Sequence, residues 1–144
     1  ILTMAAYNKF DQFVEDLAKK VHNLATDQMK IALTNTAPVA GNSVYADLTS
    51  PLATTNLSGG TPYNVTTTSC EQTSGVLKWI LVDLVLTATG AVGPFRYVVL
   101  YNDTPTSPAD PLIGWWDYAS SISLANGETF TVDFSAVNGV AQLA

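Results

Sequence analysis

The sequence predicts a mainly β protein with one amphipathic α-helix near its N-terminus, followed by an antiparallel β-sandwich or jelly-roll-like domain of about 7–8 strands. Three observations predict this fold class. Apolar residues between positions 10 and 24 recur at helical spacing, the period changes to two after residue 27, and turn residues then recur with no second helical pattern. With 144 residues, 47% of them apolar, the chain has enough material for one packed core.

The chain divides into three predicted segments that belong to one domain. Residues 1–7 form an N-terminal arm, residues 8–25 form the helix, and residues 27–144 form the β domain that packs with it. Met4 is the only methionine near the beginning of the sequence. We therefore expect residues 1–3 to be vector-derived or upstream sequence rather than part of the fold.

The predicted helix carries a continuous apolar stripe. Its members are Phe10, Phe13, Val14, Leu17, Val21 and Leu24. Asn8 is the predicted N-cap, because its side-chain oxygen can accept from first-turn amides. Lys19, Lys20 and His22 near the other end complement the helix dipole, and His22 is predicted to be solvated on the polar face. We expect the stripe to pack on the β domain, although it could also dock a partner.

The first half of the β domain alternates between strands and loops. Residues 29–34 alternate apolar with polar and predict a strand. The region 35–74, dense in Thr, Ser, Asn, Gly and Pro, predicts long loops with short strands at 44–48 and 63–71. Residues 76–87 are apolar on both faces, so they predict one central strand that is covered on both sides.

The second half of the β domain contains the remaining predicted strands. Residues 95–101 are expected to pair antiparallel with the strand at 76–87. Residues 102–111 contain three prolines and therefore predict a surface loop. Further strands are predicted at 112–118, 128–134 and 140–143, the last after a hairpin signal at Asn138–Gly139.

The charge of the chain is concentrated in the β domain. The net charge is −6, and from residue 31 onward Lys78 and Arg96 are the only basic residues. The acidic residues in the same range are Asp47, Glu71, Asp83, Asp103, Asp110, Asp117, Glu128 and Asp133. Direct nucleic-acid binding is excluded on this basis, because neutralising phosphates requires clustered Lys and Arg.

The sequence contains few residues of the types that support catalysis or metal binding. The only histidine, His22, is expected to be a solvated helix residue rather than the base of a catalytic triad, and together with the single Cys70 it cannot build a four-ligand zinc site. No run of eighteen apolar residues predicts a membrane span. We therefore predict no catalytic residues, no metal, no cofactor and no enzymatic activity, with an ion near Asp103 and Asp110 or a carboxylate pair for glycoside hydrolysis as the alternatives.

Two adjacent tryptophans are the most distinctive side chains of the β domain. In a strand, Trp116 shares a face with Gly114, whereas Trp115 lies on the other face with Ile113. One tryptophan is therefore expected in the core. The other could be exposed, where it would stack on a sugar or anchor a protein contact.

Five segments give the sequence a recognisable character. They are MAAYNKF at 4–10, LTNTAP at 33–38, GPFRYVVLYND at 93–103, LIGWWDY at 112–118 and GETFTVDF at 127–134. Over nearly its whole length the chain resembles a family of small tailed-phage and prophage proteins, usually uncharacterised, that are encoded among virion structural genes. None of these segments carries a catalytic pattern, so the resemblance implies a structural role in the virion.

Within the virion, we expect a capsid decoration (cement) protein on the capsid exterior, made in the bacterial cytoplasm, by analogy with the small, acidic β proteins that bind capsid lattices. Its expected partners are the major capsid protein and further copies of the chain, a homotrimer being one assembly compatible with three-fold lattice positions. The candidate contact residues are Met4, Ala5, Ala6 and Tyr7 of the arm, together with loops in 35–74. The alternative is a tail-associated carbohydrate- or receptor-binding module that uses Trp115 or Trp116.

Overall fold

The structure, a computed structural model, describes residues 7–137 and 139–143. Within these ranges it is mainly β with one α-helix, as the sequence predicts. The elements are β1 (Tyr7–Lys9), α1 (Asp11–Ala18), β2 (Met29–Thr34), a 3-10 turn at Tyr45–Asp47, β3 (Asn64–Val65), β4 (Thr67–Thr73), β5 (Val76–Leu81), β6 (Leu84–Thr87), β7 (Val92–Asn102), β8 (Leu112–Leu124), β9 (Thr129–Val132) and β10 (Ala141–Leu143).

The strands form three antiparallel sheets. The largest has five strands in the order β1-β8-β7-β2-β3, a second has the order β10-β5-β4, and the third pairs β6 with β9. Strand β7 pairs with β2 from Tyr97 to Asn102 on one side, and with β8 from Val92 to Tyr101 on the other. Its residues are buried from Tyr97 to Asn102, so β7 is the central strand of the fold.

The core lies mainly on one face of the five-stranded sheet. The main cluster joins side chains from all three sheets, including Ile31 and Val98 from the large sheet, Trp79 from β5 and Val132 from β9. A smaller cluster covers the opposite face of the large sheet and consists of Phe10, Ala32, Val99, Tyr101 and Leu112. The large sheet is therefore covered on both faces.

The helix is shorter than predicted. It spans eight residues, Asp11–Ala18, rather than 8–25. Asn8 is not its N-cap but a residue of β1, in register with Trp115 of β8. The helix ends because Lys20 adopts a φ of 65° and the Val21 N–H donates to the Asp16 carbonyl, a termination that needs a left-handed residue.

The apolar stripe is nevertheless used in part within the chain, although Val14 is 50% exposed. Phe13 belongs to the main core cluster, and α1 packs against β8. Phe10 and Leu24 are also buried, but from positions before and after the helix. A stripe at helical spacing can thus be completed by neighbouring segments that are not helical, which is why the spacing overestimated the length of the helix.

The predicted single strand at 76–87 is wrong. It divides at Val82 and Asp83 into β5 and β6, which belong to different sheets. The Asp83 carboxylate accepts a hydrogen bond from the Phe134 N–H at 2.8 Å, and the Val82 N–H donates to the Thr66 carbonyl at 2.9 Å. The predicted pairing of this segment with 95–101 is also wrong, because β7 pairs with β2 and β8.

Several smaller predictions can be compared with the observed elements. The strand at 29–34 is confirmed as β2. The predicted strand at 44–48 is wrong, since the segment forms a 3-10 turn in which the Asp47 carboxylate accepts from the Ser43 and Val44 amides. The last strand, β10, pairs with β5. Asn138 of the predicted hairpin lies outside the described residues.

Candidate functional site

The predicted contact arm is described only at its last residue. Met4, Ala5 and Ala6 lie outside the described residues. Tyr7 begins β1, in register with Trp116 of β8, and its ring lies 5.4 Å from the Trp116 ring, centre to centre. Burial raises the pKa of the Tyr7 hydroxyl to about 12, and this hydroxyl has no hydrogen-bond partner among the residues that the structure describes. Tyr7 is therefore a packing residue at the edge of the large sheet.

The two tryptophans lie on opposite faces of β8, as predicted, and both are half-buried. The Trp115 ring packs on Phe10 with ring centres 4.5 Å apart. The Trp116 ring lies against Tyr7 and, at 5.5 Å, against Phe134. Both indoles are thus occupied by contacts within the chain.

The prediction that Ile113 shares the face of Trp115 is wrong. The β7–β8 register passes from Leu100 opposite Gly114 to Tyr101 opposite Leu112, so Ile113 is the extra residue of a β-bulge. As a result Ile113 enters the main core cluster, on the side where Trp116 packs. A bulge of this kind leaves no period-two signature in the sequence.

A small cavity of about 170 Å³ adjoins Tyr7 and Trp116. The remaining lining residues are Asp133, Phe134, Ser135, Gly139 and Val140. The cavity therefore lies where β1 meets the segment that follows β9. It is too small for a drug-sized ligand, whose pockets span roughly 300–1,000 Å³.

The outer face of the β6–β9 sheet is uncharged and partly apolar. Val85 is in register with Thr131, and Thr87 with Thr129, while Leu86 and Val132 face the core. Val85 is 57% exposed. Neither strand contains a charged residue. The outward side chains of the paired residues on this β6–β9 face are therefore β-branched and uncharged, while the exposed Asp83 and Asp133 lie directly beyond the ends of the strands.

The prediction that His22 is a solvated helix residue is wrong. His22 follows the helix and is only 5% exposed. Its Nδ1 lies 3.1 Å from the Asn102 Nδ2, and the same Nδ2 donates to the Asp27 carboxylate at 2.7 Å. We call these three residues the His22 cluster. Sequence patterns could not reveal it, because Asn102 lies 80 residues away from His22 along the chain.

The hydrogen bonds fix the protonation state of the imidazole. The Asn102 Oδ1 accepts from the Thr104 N–H at 3.1 Å, so the Asn102 Nδ2 must be the atom that faces His22. Because Nδ2 donates, the His22 Nδ1 accepts, which assigns the ring proton of the neutral imidazole to Nε2, an atom with no hydrogen-bond partner within 7–137 and 139–143. Burial lowers the pKa of His22, while the nearby Asp16 and Asp27 carboxylates act in the opposite direction.

Beside the His22 cluster lies a cleft of about 370 Å³ with mainly apolar walls. Its apolar lining consists of Leu17, Val21, Leu24, Leu77 and Pro105, together with Cys70. Cys70 is the only cysteine in the sequence, and burial raises the pKa of its thiol. One wall of this apolar cleft is therefore the segment at 20–25 that contains His22.

The acidic residues considered for an ion or for hydrolysis occupy two separate environments. Asp103 pairs with Lys30 at 3.0 Å, and the pKa of Asp110 is raised by burial and by the adjacent Asp103. Asp117 instead accepts two hydrogen bonds from Arg96, at 2.7 and 3.0 Å, which lower its pKa. Within 7–137 and 139–143, no three side chains of the metal-ligating types converge.

Comparisons with known proteins give no match to this chain: no family model, no curated protein and no solved structure is similar to it. In the part of the chain that the structure describes, no helix has the length and apolar character required to cross a membrane.

Proposed function

We propose that this chain is a non-enzymatic structural protein of a bacteriophage virion, and that it serves as a capsid decoration protein bound to the lattice of the major capsid protein. The family resemblance supports a virion role. Three of the segments that carry it, at 93–103, 112–118 and 127–134, coincide largely with β7, β8 and β9. The resemblance therefore falls on the strands that build the sheets.

The observation that carries the decoration role is the β6–β9 face. A protein that covers a lattice in many copies needs a surface that can be buried without leaving charges unpaired. The pairs Val85–Thr131 and Thr87–Thr129 provide such a surface. We assign this face to the capsid contact, with the arm that joins at Tyr7 as a second contact.

The arrangement of the sheets also fits the proposed fold. One face of the five-stranded sheet shares its core cluster with residues of β5, β6 and β9 from the two smaller sheets. We classify this arrangement as a β-sandwich. In such a fold the β6–β9 face is the outer surface of one layer, available to a partner.

Binding to undecorated capsids tests the proposal. Purified protein is mixed with expanded, undecorated capsids of the phage that encodes it, and bound copies are counted by sedimentation and electron microscopy. We expect saturation at a multiple of the lattice copy number, on the capsid exterior. Failure to bind, or labelling confined to the tail, would overturn the decoration role.

A pair of matched variants tests the assigned surface. Val85→Lys places a charge in the β6–β9 face, whereas Val39→Lys changes a valine that is similarly exposed, at 60%, in a loop. We expect Val85→Lys to weaken capsid binding by about tenfold or more, the equivalent of roughly 1.4 kcal/mol, and Val39→Lys to bind as the parent does. Equal binding by both variants would remove the β6–β9 face from the contact.

The tail-associated carbohydrate- or receptor-binding role is the competing outcome. It requires an indole face that a sugar can cover. Trp115 and Trp116 are half-buried and already pack on aromatic neighbours, which favours the decoration role. Glycan-array binding that disappears in Trp115→Ala or Trp116→Ala would instead support the tail module.

A further inference from the structure

The His22 cluster joins three parts of the fold. His22 and Asp27 belong to the segment 19–28 that connects α1 to β2, and Asn102 is the last residue of β7. Asn102 is completely buried. The Phe13 ring of α1 packs against the imidazole with ring centres 5.3 Å apart. A change at His22 therefore acts on the attachment of the connecting segment to the central strand.

The cluster accepts only a neutral imidazole. The Asn102 amide group has its oxygen occupied by the Thr104 N–H, and its nitrogen donates to both Asp27 and His22. A proton on the His22 Nδ1 would point at the hydrogens of the Asn102 amide group, and the hydrogen bond would become a repulsive contact. Rotating the amide group would sacrifice its bonds to Thr104 and Asp27.

The charged groups around His22 make the protonated ring stable once it is released. Asp16 faces it from α1 and Asp27 from the connecting segment, and both favour the imidazolium. Lys20 and the Cys70 thiol of β4 lie farther off, in the lining of the apolar cleft. In the closed state, the cost of burying the charged ring exceeds its attraction to the two carboxylates. When the segment opens, water reaches the ring and that cost is removed.

We propose that the His22 cluster is a pH-sensitive latch: protonation of the His22 Nδ1 breaks the hydrogen bond to Asn102, detaches the segment 20–25 from β7 and opens the apolar cleft. This latch is independent of the capsid role. Only one other side-chain hydrogen bond in the described region ties the same segment to the sheets, from the Thr67 hydroxyl to the Leu24 carbonyl at 3.0 Å, and the Leu24 side chain also packs in the main core cluster. That bond contains no group that titrates near neutral pH, so the His22 contact is the one that acidification removes.

Cys70 provides the measurement, because its half-buried thiol lines the same cleft as the segment that moves and is the only thiol in the chain. The rate of its reaction with a thiol reagent is measured in native and in denatured full-length protein at each pH. The ratio of the two rates gives a protection factor from which the intrinsic pH dependence of the thiol is largely removed. We expect this factor to fall by about tenfold between roughly pH 7.5 and pH 5, since one unit of pKa difference between closed and open states equals a tenfold change in opening.

The variant His22→Asn is the matched control. Its side-chain oxygen can occupy the position of the Nδ1 acceptor and cannot be protonated in this range. We expect its protection factor to stay constant from neutral pH to about pH 5. If His22→Asn loses protection on acidification as the parent does, the latch is not His22 and the proposal is overturned.

A second variant keeps the proposal testable if His22→Asn does not fold. Asp16→Asn removes one of the carboxylates that favour the imidazolium. We expect the midpoint of the Cys70 protection curve to move to lower pH in Asp16→Asn, together with the midpoint of the His22 ring-proton shift followed by NMR. A parent protein in which the His22 shift titrates while Cys70 protection stays constant would show that protonation opens nothing.

Discussion

The ring of Tyr7 lies directly over the backbone of Gly114. A Cβ atom at position 114 would stand 2.6 Å from the Tyr7 Cζ and 2.7 Å from the Asn8 carbonyl oxygen. Real side chains do not approach this closely, so only glycine permits β1 to pair here with its tyrosine folded onto β8. Because position 114 has no side chain, Tyr7, the last residue of the predicted arm, can pack against the large sheet.

Gly114→Ala should destabilise the protein by about 1–3 kcal/mol, because the added methyl group must displace the Tyr7 ring or the β1 backbone. The measurement is chemical denaturation. Gly41→Ala is the control, since a Cβ there meets no atom within 4 Å, and it should change stability by less than about 0.5 kcal/mol. If Gly114→Ala is as stable as Gly41→Ala, Tyr7 does not lie over Gly114.

Acidification should reduce the free energy of unfolding through His22. Its pKa in the folded state is lowered, so the unfolded chain binds the proton more readily. The stability is fully present above the unfolded pKa of about 6.5 and is lost as pH falls from there to the folded pKa, by about 1.4 kcal/mol for each unit of difference. Urea denaturation at several pH values measures this.

The carboxylates of Asp47 and Asp117 do not contribute to that loss. The pKa values of Asp47 and Asp117 are lowered by hydrogen bonds, so the stability they contribute is lost only as pH falls below the usual range of Asp. The two losses therefore occupy different pH windows. The buried position of His22 would be contradicted if the free energy of unfolding were constant from neutral pH to about pH 5, with the same dependence on pH as in His22→Asn.

Local patterns predicted the elements whose burial follows from their own sequence. In β2, Met29, Ile31 and Leu33 alternate with other residues and point into the main core cluster, as the period of two predicts. The predicted loop is likewise correct from Asp103 to Asp110, because proline cannot donate to a sheet ladder, whereas Asn102 belongs to β7 and is buried. Such features depend on side-chain chemistry within a few residues, so they are visible in the sequence.

The features that were missed depend on partners far along the chain. Asp83 divides the strand at 76–87 because its carboxylate accepts from Phe134, 51 residues later. His22 is buried because Asn102 meets it at the end of the central strand. Of the predicted contact residues, Tyr7 packs within the chain. The β6–β9 face was not predicted, because β6 and β9 pair although β7 and β8 lie between them in the sequence.

Asn102→Ala should be among the most destabilising single changes, by about 2–4 kcal/mol. It leaves the His22 Nδ1 and the Thr104 N–H without their observed partners and removes one donor to Asp27, and an unsatisfied buried polar group costs roughly 1–3 kcal/mol. Asn35→Ala is the comparison, since Asn35 is exposed and its amide oxygen accepts from the Ser121 hydroxyl. Thermal and chemical denaturation should separate the two variants clearly, and similar values would show that the His22 cluster contributes little.

The two faces of the β6–β9 sheet should separate stability from binding. Leu86 is 1% exposed and faces the core, so Leu86→Ala should cost about 2–5 kcal/mol of unfolding free energy. Its neighbour Val85 faces outward, so Val85→Ala should change stability by less than about 0.5 kcal/mol. If the proposed capsid contact is correct, Val85→Ala should still weaken binding to undecorated capsids, because the partner loses the side chain that it covers. A Val85→Ala variant that unfolds as readily as Leu86→Ala would mean that this face is buried within the chain and unavailable to any partner.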